Sequence, residues 1–110
     1  LMAFDETLAD RVRAIIRTDP TVSEKRMFGG LAFLASGNMS VGVQGTELIV
    51  RVDPTEGDTL LNQPGVRAFD IRGKPMKGWL LVAATSVPDQ EKLSAWIALG
   101  MSYAKSLPPK

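Results

Sequence analysis

The chain has 110 residues, of which 45% are hydrophobic and 23% charged, a composition typical of one globular domain with a modest core. Its formal net charge of +1 gives no bulk attraction to nucleic acid or to an anionic membrane, so an electrostatic partner has to be recruited by a local patch. The chain contains no cysteine and no histidine, which excludes disulfides, thiolate chemistry and the commonest zinc ligands and general base.

We predict a single domain over residues 1–110, of which residues 106–110 form a tail. We expect Met2 to be the natural start, with Leu1 an added residue. No apolar run approaches the roughly 20 residues that a membrane span requires. The N-terminus also lacks the apolar region of a signal peptide. We therefore expect a cytoplasmic protein without membrane contact.

The N-terminal segment predicts an amphipathic helix over residues 4–17. Acidic residues fall in its first turn and arginines near its end, which matches the helix dipole. Its apolar residues recur at helical spacing and gather on one face. They are Phe4, Leu8, Val12, Ile15 and Ile16.

The segment from Ser23 to Val52 predicts three or four short antiparallel strands with tight connections. The clearest strand runs are Leu31–Ala35, Met39–Val43 and Glu47–Val52. Alternation predicts that Met39, Val41 and Val43 share one face of the sheet. It predicts the same for Leu48, Val50 and Val52.

The sequence Asp53-Pro54-Thr55-Glu56 indicates the start of a short helix that ends near residue 62. Asp53 can cap the helix, Pro54 suits its first position, and Glu56 stands where a capping-box acid belongs. Together with Asp58, these carboxylates could instead bind a hard cation such as Mg²⁺. Capping explains Asp53 and Glu56 without a metal, so we expect neither a metal nor a cofactor.

Two more strands and a long helix complete the predicted order. The strands are Val66–Ile71 and Trp79–Ala84, and the second is apolar on both faces, which is typical of a strand covered on both sides. The final helix begins near Pro88-Asp89. The whole order predicts an α+β fold, with an antiparallel sheet packed by the N- and C-terminal helices plus the short middle helix.

The C-terminal helix leaves two questions open. Its buried stripe is predicted to contain Leu93, Trp96, Ile97, Gly100 and Ala104. Gly100 costs about 1 kcal/mol relative to alanine inside a helix, so either the helix packs closely there or it frays. Trp96, Leu99 and Tyr103 widen the apolar arc, which indicates either a surface for a partner subunit or a groove that buries both flanks.

Two segments combine cations, glycines and one large aromatic residue. They are Lys25-Arg26-Met27-Phe28-Gly29-Gly30 and Arg72-Gly73-Lys74-Pro75-Met76-Lys77-Gly78-Trp79. If the segments meet, arginine and lysine could bind an anion while glycine lets a ligand approach the backbone. The candidate interaction surface comprises Lys25, Arg26, Phe28, Gly29, Gly30, Arg72, Lys74, Lys77 and Trp79. Alternatively, the cations are solvated strand ends and the two aromatic residues belong to the core.

A phosphate-binding loop does not explain the second segment. The P-loop pattern requires an upstream glycine at a fixed distance and Ser or Thr after its lysine. Pro75 follows Lys74 instead. We therefore predict no nucleotide hydrolysis at this segment.

The Arg26–Gly30 segment after an amphipathic helix, and the Gly73–Trp79 segment before an apolar strand, resemble the N-terminal domain of the TfoX/Sxy family. The resemblance extends from about Phe4 to Lys105. It implies a curved antiparallel sheet backed by helices, similar to secretion-chaperone-like domains, and a tendency to form dimers. Named members regulate natural competence together with a cyclic-AMP receptor protein and carry a second, C-terminal domain, for which this sequence has no room. The family implies no catalytic residues.

From these observations we expect a non-enzymatic regulatory or protein-interaction module that forms a homodimer, with a partner in the transcription machinery. The alternative is direct nucleic-acid binding through a basic patch. That patch would contain Lys25, Arg26, Arg72, Lys74 and Lys77, while Phe28 and Trp79 could stack on bases.

Overall fold

The computed structural model describes residues 4–27, 29–71 and 73–110, with the backbone alone described at position 71. The elements in chain order are α1 (Glu6–Ile16), β1 (Val22–Met27), β2 (Gly30–Ala35), β3 (Asn38–Gln44), β4 (Glu47–Arg51), α2 (Pro54–Leu60), β5 (Val66–Ile71), β6 (Lys74–Ala83), a 3-10 turn (Ala84–Ser86) and α3 (Gln90–Ser106). The strands form one antiparallel sheet in the order β1-β2-β3-β4-β6-β5. The predicted α+β fold with three helices is confirmed.

Helix α1 begins with a side-chain cap rather than at Phe4. The Asp5 carboxylate accepts a hydrogen bond from the Thr7 backbone N–H at 2.8 Å. Phe4 precedes the helix and forms an isolated bridge with Gly45, so it enters the core from an extended segment. The helix buries Leu8, Ala9, Val12 and Ile16 against the sheet.

The main core lies between one face of the sheet and helices α1 and α3. The predicted alternation in β4 is confirmed, because Leu48, Val50 and Val52 all belong to this core. The predicted stripe of α3 is also buried. A Cβ atom added at Gly100 would lie only 2.5 Å from the Ser40 carbonyl oxygen, so close packing, and not fraying, accounts for this glycine.

The opposite face of the sheet carries a second hydrophobic cluster that is built entirely from strand residues. Its buried members are Ala32, Met39, Ile49, Phe69 and Leu81. The half-buried side chains of Met27, Leu34, Met76 and Trp79 pack against it. We call these nine residues the second cluster.

Met39 was predicted to share a face with Val41 and Val43, and this prediction is wrong. The register between β2 and β3 shifts, so that Phe33 pairs with Val41 whereas Leu34 pairs with Met39. Ser40 is the extra residue of this bulge, and its hydroxyl donates to the Phe33 carbonyl oxygen at 2.7 Å. A bulge reverses the alternation that follows it, which moves Met39 into the second cluster.

Strand β6 is longer than predicted, since it begins at Lys74 rather than at Trp79. Ala68 pairs with Leu80 and Asp70 with Pro75, so the intervening residues of β6 bulge out of the ladder. Gly78 lies in that bulge with φ of +82°, a backbone conformation that favours glycine. Beyond the bulge, three consecutive β6 residues from Leu80 onward are buried, which confirms that both faces of this stretch are covered.

The predicted C-terminal tail is bound to the sheet. Asn38 donates its side-chain amide to the Pro108 carbonyl oxygen at 3.0 Å, and the Lys110 backbone N–H donates to the Ser36 carbonyl oxygen at 2.9 Å. These bonds hold the last residues against the turn between β2 and β3. Within the described ranges, no helix has both the length and the apolar character needed to cross a membrane.

Candidate functional site

The first cationic segment forms the hairpin between β1 and β2. Lys25 pairs with Ala32 and Arg26 with Leu31, so strand alternation directs the two cations to opposite faces of the sheet. Both are exposed, and the Arg26 guanidinium carbon lies 5.5 Å from the centre of the Phe4 ring. One role of Arg26 is therefore to cover the ring of Phe4, a buried residue of the main core.

The glycines of this hairpin are explained by the backbone. Gly29 has φ of +71° in the turn. A Cβ atom at Gly30 would lie 2.2 Å from the Val43 carbonyl oxygen, which would push β2 away from β3. The two glycines therefore shape the sheet, while Phe28, the aromatic residue of this segment, lies outside the described residues.

The second cationic segment forms the turn between β5 and β6 and the first part of β6. Lys74 and Lys77 are exposed, whereas Trp79 is half-buried with its ring centre 6.2 Å from that of Phe69. Gly73 has φ of +78° in the turn. Arg72 also lies outside the described residues, so its part in the predicted surface is not described.

The sheet order separates the polar parts of the two segments. β1 and β5 are its two outer strands, which places the β1–β2 and β5–β6 hairpins at opposite edges. Lys25 and Lys74 are therefore not neighbours in the sheet. The apolar residues Met27, Met76 and Trp79 nevertheless all belong to the second cluster.

The structure reveals a different cluster of interaction-type side chains, centred on Arg51 at the end of β4. The Arg51 guanidinium carbon lies 5.0 Å from the centre of the Trp79 ring and 5.4 Å from that of the Tyr103 ring. Arg51 pairs with Trp79 across the sheet, and Tyr103 comes from α3. We call these three residues the aromatic–arginine cluster. Each of them is partly exposed.

The sequence analysis did not identify Arg51. In the sequence it is only a polar residue next to a buried strand position, with no local motif. The signal depends on the pairing of β4 with β6, which are separated along the chain by α2 and β5, and on the crossing of α3. A predicted strand pairing would have placed Arg51 opposite Trp79, but no local pattern indicates Tyr103.

Within the described chain, Arg11, Arg13 and Arg67 have polar partners, which distinguishes these three arginines from Arg51. The Arg13 guanidinium donates to both carboxylate oxygens of Glu24 at 2.8 and 2.9 Å. This bidentate contact raises the pKa of Arg13 and lowers the pKa of Glu24. Arg67 pairs with Glu47, and Arg11 donates to the Val87 carbonyl oxygen at 2.7 Å. Arg51 contacts two rings and forms no ion pair within the described part of the chain.

The carboxylates around α2 have different roles. Asp53 accepts hydrogen bonds from the Thr55 backbone N–H at 2.9 Å and from the Thr55 hydroxyl at 2.8 Å, which lowers the pKa of Asp53 and confirms it as the helix cap. Glu56 and Asp58 are exposed. Across residues 4–27, 29–71 and 73–110, no three acidic side chains are grouped so that they could hold a metal ion.

Comparison with known proteins agrees with this architecture. The sequence model of the TfoX N-terminal domain matches residues 15–104, which is most of the 110-residue chain. A comparison with curated proteins finds no match. The match extends from the last two residues of α1 to the last turn of α3 and therefore includes the complete sheet and the aromatic–arginine cluster. The chain belongs to the TfoX N-terminal domain family.

Proposed function

We propose that this TfoX N-terminal domain is a non-catalytic protein-interaction module that works as a homodimer in regulation linked to transcription and competence. The observation that carries the interaction role is a continuous surface made of Leu99 and the aromatic–arginine cluster. Leu99 is 36% exposed, the one large hydrophobic residue classed as exposed within the described ranges. It lies one helical turn before Tyr103, which contacts Arg51.

The residue types on this surface support the proposal. Trp, Tyr and Arg are the side chains that most often dominate the binding energy of protein interfaces. The lack of cysteine and histidine in the sequence supports a non-catalytic role, because it removes thiolate nucleophiles and the commonest general base. The link with transcription and competence rests on the family resemblance.

The homodimer is tested by measuring the mass of the purified protein with light scattering over a range of concentrations. We expect the wild type to approach twice the monomer mass of 11.9 kDa. Leu99→Asp should shift the protein toward monomer because it introduces a charge into the proposed surface. Ala98→Asp adds the same charge at an exposed position of α3 that points away from Leu99 and Tyr103, and should leave the dimer intact.

A wild type that stays monomeric at all concentrations would refute the homodimer. Equal effects of Leu99→Asp and Ala98→Asp would refute the assignment of this surface. The regulatory part is tested by affinity capture from bacterial lysate. Recovery of the domain alone, with no second protein enriched over a mock capture, would contradict a partner in the transcription machinery.

Direct nucleic-acid binding is the second candidate, and the exposure of three lysines favours it. Lys25, Lys74 and Lys77 are exposed and form no ion pair within the described residues. Their positions at opposite edges of the sheet argue against one compact strip. Fluorescence anisotropy with short DNA and RNA should show binding that weakens steeply with salt, since neutralised phosphates release counterions. Absence of binding, or binding unaffected by Lys74→Ala and Arg26→Ala, would eliminate this candidate.

A further inference from the structure

Arg51 is held in place but has no anionic partner among the residues that the structure describes. The Trp79 and Tyr103 rings lie within 5.4 Å of its guanidinium carbon, a distance at which the ring faces attract a cation. Arginine has five N–H donors in the plane of the guanidinium, and stacking on rings leaves those donors available for a carboxylate. The side chain is therefore preorganised to donate hydrogen bonds to an acidic group.

Two exposed acidic residues of α2 stand where this helix packs against β6, next to Trp79 of the cluster. Gly57 of α2 packs against the Gly78 backbone: a Cβ atom at Gly57 would lie 3.4 Å from the Gly78 nitrogen. Glu56 and Asp58 flank Gly57, are exposed, and form no ion pair within the part of the chain that the structure describes. Asp58 and Trp79 line the same groove between α2 and β6. Trp79 thus borders the cationic and the acidic part of one surface.

A surface with adjacent cationic and acidic parts can be complementary to itself. In a dimer with two-fold symmetry, a contact of residue i with residue j of the partner is repeated as j with i. Arg51 of one chain can then meet Glu56 and Asp58 of the other, and both copies of the contact form at once. No other molecule is required to satisfy these charges.

We propose that a second copy of this chain binds at the aromatic–arginine cluster, with Arg51 of each protomer donating hydrogen bonds to the α2 carboxylates of the other. Trp79 and Tyr103 supply the apolar part of the contact, and Leu99 extends it along α3. This inference rests on the proposed homodimer and names its interface. The Arg51 contact should contribute most of the binding energy of the dimer. A charge pair flanked by aromatic rings loses more water on binding than a charge pair at the rim of an interface.

A charge-exchange experiment tests the interface with the purified chain alone. One variant carries Arg51→Glu, and the other carries Glu56→Arg together with Asp58→Arg. Each variant alone places like charges opposite each other twice, so we expect at least about tenfold weaker dimerisation, as is typical when a desolvated charge pair is lost. Mixed in equal amounts, the two variants restore both attractive contacts in a heterodimer.

The readout is native mass spectrometry, which separates the heterodimer from either homodimer by mass. Circular dichroism establishes that every variant is folded. Arg26→Glu is the matched control, because Arg26 also stacks on a ring and forms no ion pair with the described residues, but lies on β1, at the opposite edge of the sheet from the β5–β6 hairpin. This control should dimerise like the wild type.

Selective formation of the heterodimer supports the proposed interface. If the wild type dimerises and the folded charge variants dimerise equally well alone, the interface is refuted while the homodimer stands. The interface is also refuted if both folded variants are monomeric and stay monomeric when mixed. If the wild type is monomeric throughout, the interface and the proposed homodimer fall together.

Discussion

At the scale of single residues, Gly100 sets how closely α3 approaches the sheet. A Cβ atom at this position would lie 2.5 Å from the Ser40 carbonyl oxygen and 2.7 Å from Val41 Cγ1. The backbone of Ser40 is fixed by the bulge in β3 and by the bond from its hydroxyl to Phe33. Neither neighbour can move without disturbing the main core.

Gly100→Ala should therefore destabilise the protein although alanine favours a helix by about 1 kcal/mol. We expect a net loss of about 1–3 kcal/mol in the free energy of unfolding, the usual cost of overpacking a core. Urea denaturation measures the change. Ser102→Ala is the control, because Ser102 is exposed on the same helix and alanine should stabilise it slightly. A Gly100→Ala protein more stable than the wild type would contradict the close contact.

The sequence limits the possible environments of single residues such as Gly100 but does not always identify the correct one. Gly100 in a helical pattern already indicates either close packing or fraying, and only the position of Ser40 decides between them. Met39 is different, because alternation predicts the wrong face. The bulge that reverses it arises from pairing with β2, and Ser40 carries no local signal for an extra residue in a strand.

At the scale of elements, α2 is held against β6 by two glycines. Gly57 and Gly78 face each other without side chains, and the Gly78 carbonyl oxygen accepts a hydrogen bond from the Val52 backbone N–H at 2.7 Å. This bond precedes the Asp53 cap directly. The bulge of β6 therefore fixes where α2 begins.

Gly78→Ala should destabilise the protein for two reasons. Gly78 has φ of +82°, and a Cβ atom would lie 2.7 Å from the Val52 carbonyl oxygen. Gly73→Ala isolates the first reason, since Gly73 has φ of +78° but nothing within 4 Å of its Cβ position. We expect about 1–2 kcal/mol from the backbone conformation at both sites, and a further loss at Gly78, measured by urea denaturation. Equal losses of stability at the two glycines would show that the close approach of Gly78 to Val52 and Pro54 contributes nothing.

The order of the elements could be predicted from the sequence because each helix carries a cap or an apolar stripe and each hairpin a turn residue. The extent of β6 could not, since Pro75 and Gly78 both argue against a regular strand. The structure accommodates them by pairing Pro75 with Asp70 at an outer strand and by placing Gly78 in the bulge. The aromatic–arginine cluster escaped prediction for a related reason, since three elements that are distant in sequence build it.

At the scale of the whole molecule, an ion pair links the C-terminal end of α3 to the segment that follows α1. Lys105 in the last turn of α3 donates to Asp19, which follows α1. The pKa of Asp19 is lowered from its ordinary value of 3.8 to about 2. The bond from Lys105 is the largest cause, and hydrogen bonds from Thr21 contribute less. A carboxyl whose pKa is depressed in the folded state adds stability above its unfolded pKa and loses it as the pH falls through the folded value.

Asp19→Asn should therefore lower the melting temperature at neutral pH, and the difference from wild type should shrink between about pH 5 and about pH 2. Thermal unfolding followed by circular dichroism at several pH values measures this. Asp70→Asn is the control, because Asp70 is exposed and forms no ion pair within the described ranges. A difference between wild type and Asp19→Asn that stays constant with pH would exclude the ion pair as its cause.

The outer strand β1 has a consequence for the solubility of the whole molecule. An outer strand offers unpaired backbone groups to any other extended chain, and charged side chains on it hinder such pairing and the aggregation that follows. Four consecutive residues of β1, Ser23 to Arg26, are exposed, and three of them are charged. Lys25 and Arg26 belong to the candidate interaction surface, and they also protect the open edge of the sheet. Replacing both with threonine would retain strand propensity while removing this protection, and would favour amyloid-like stacking of the domain through β1.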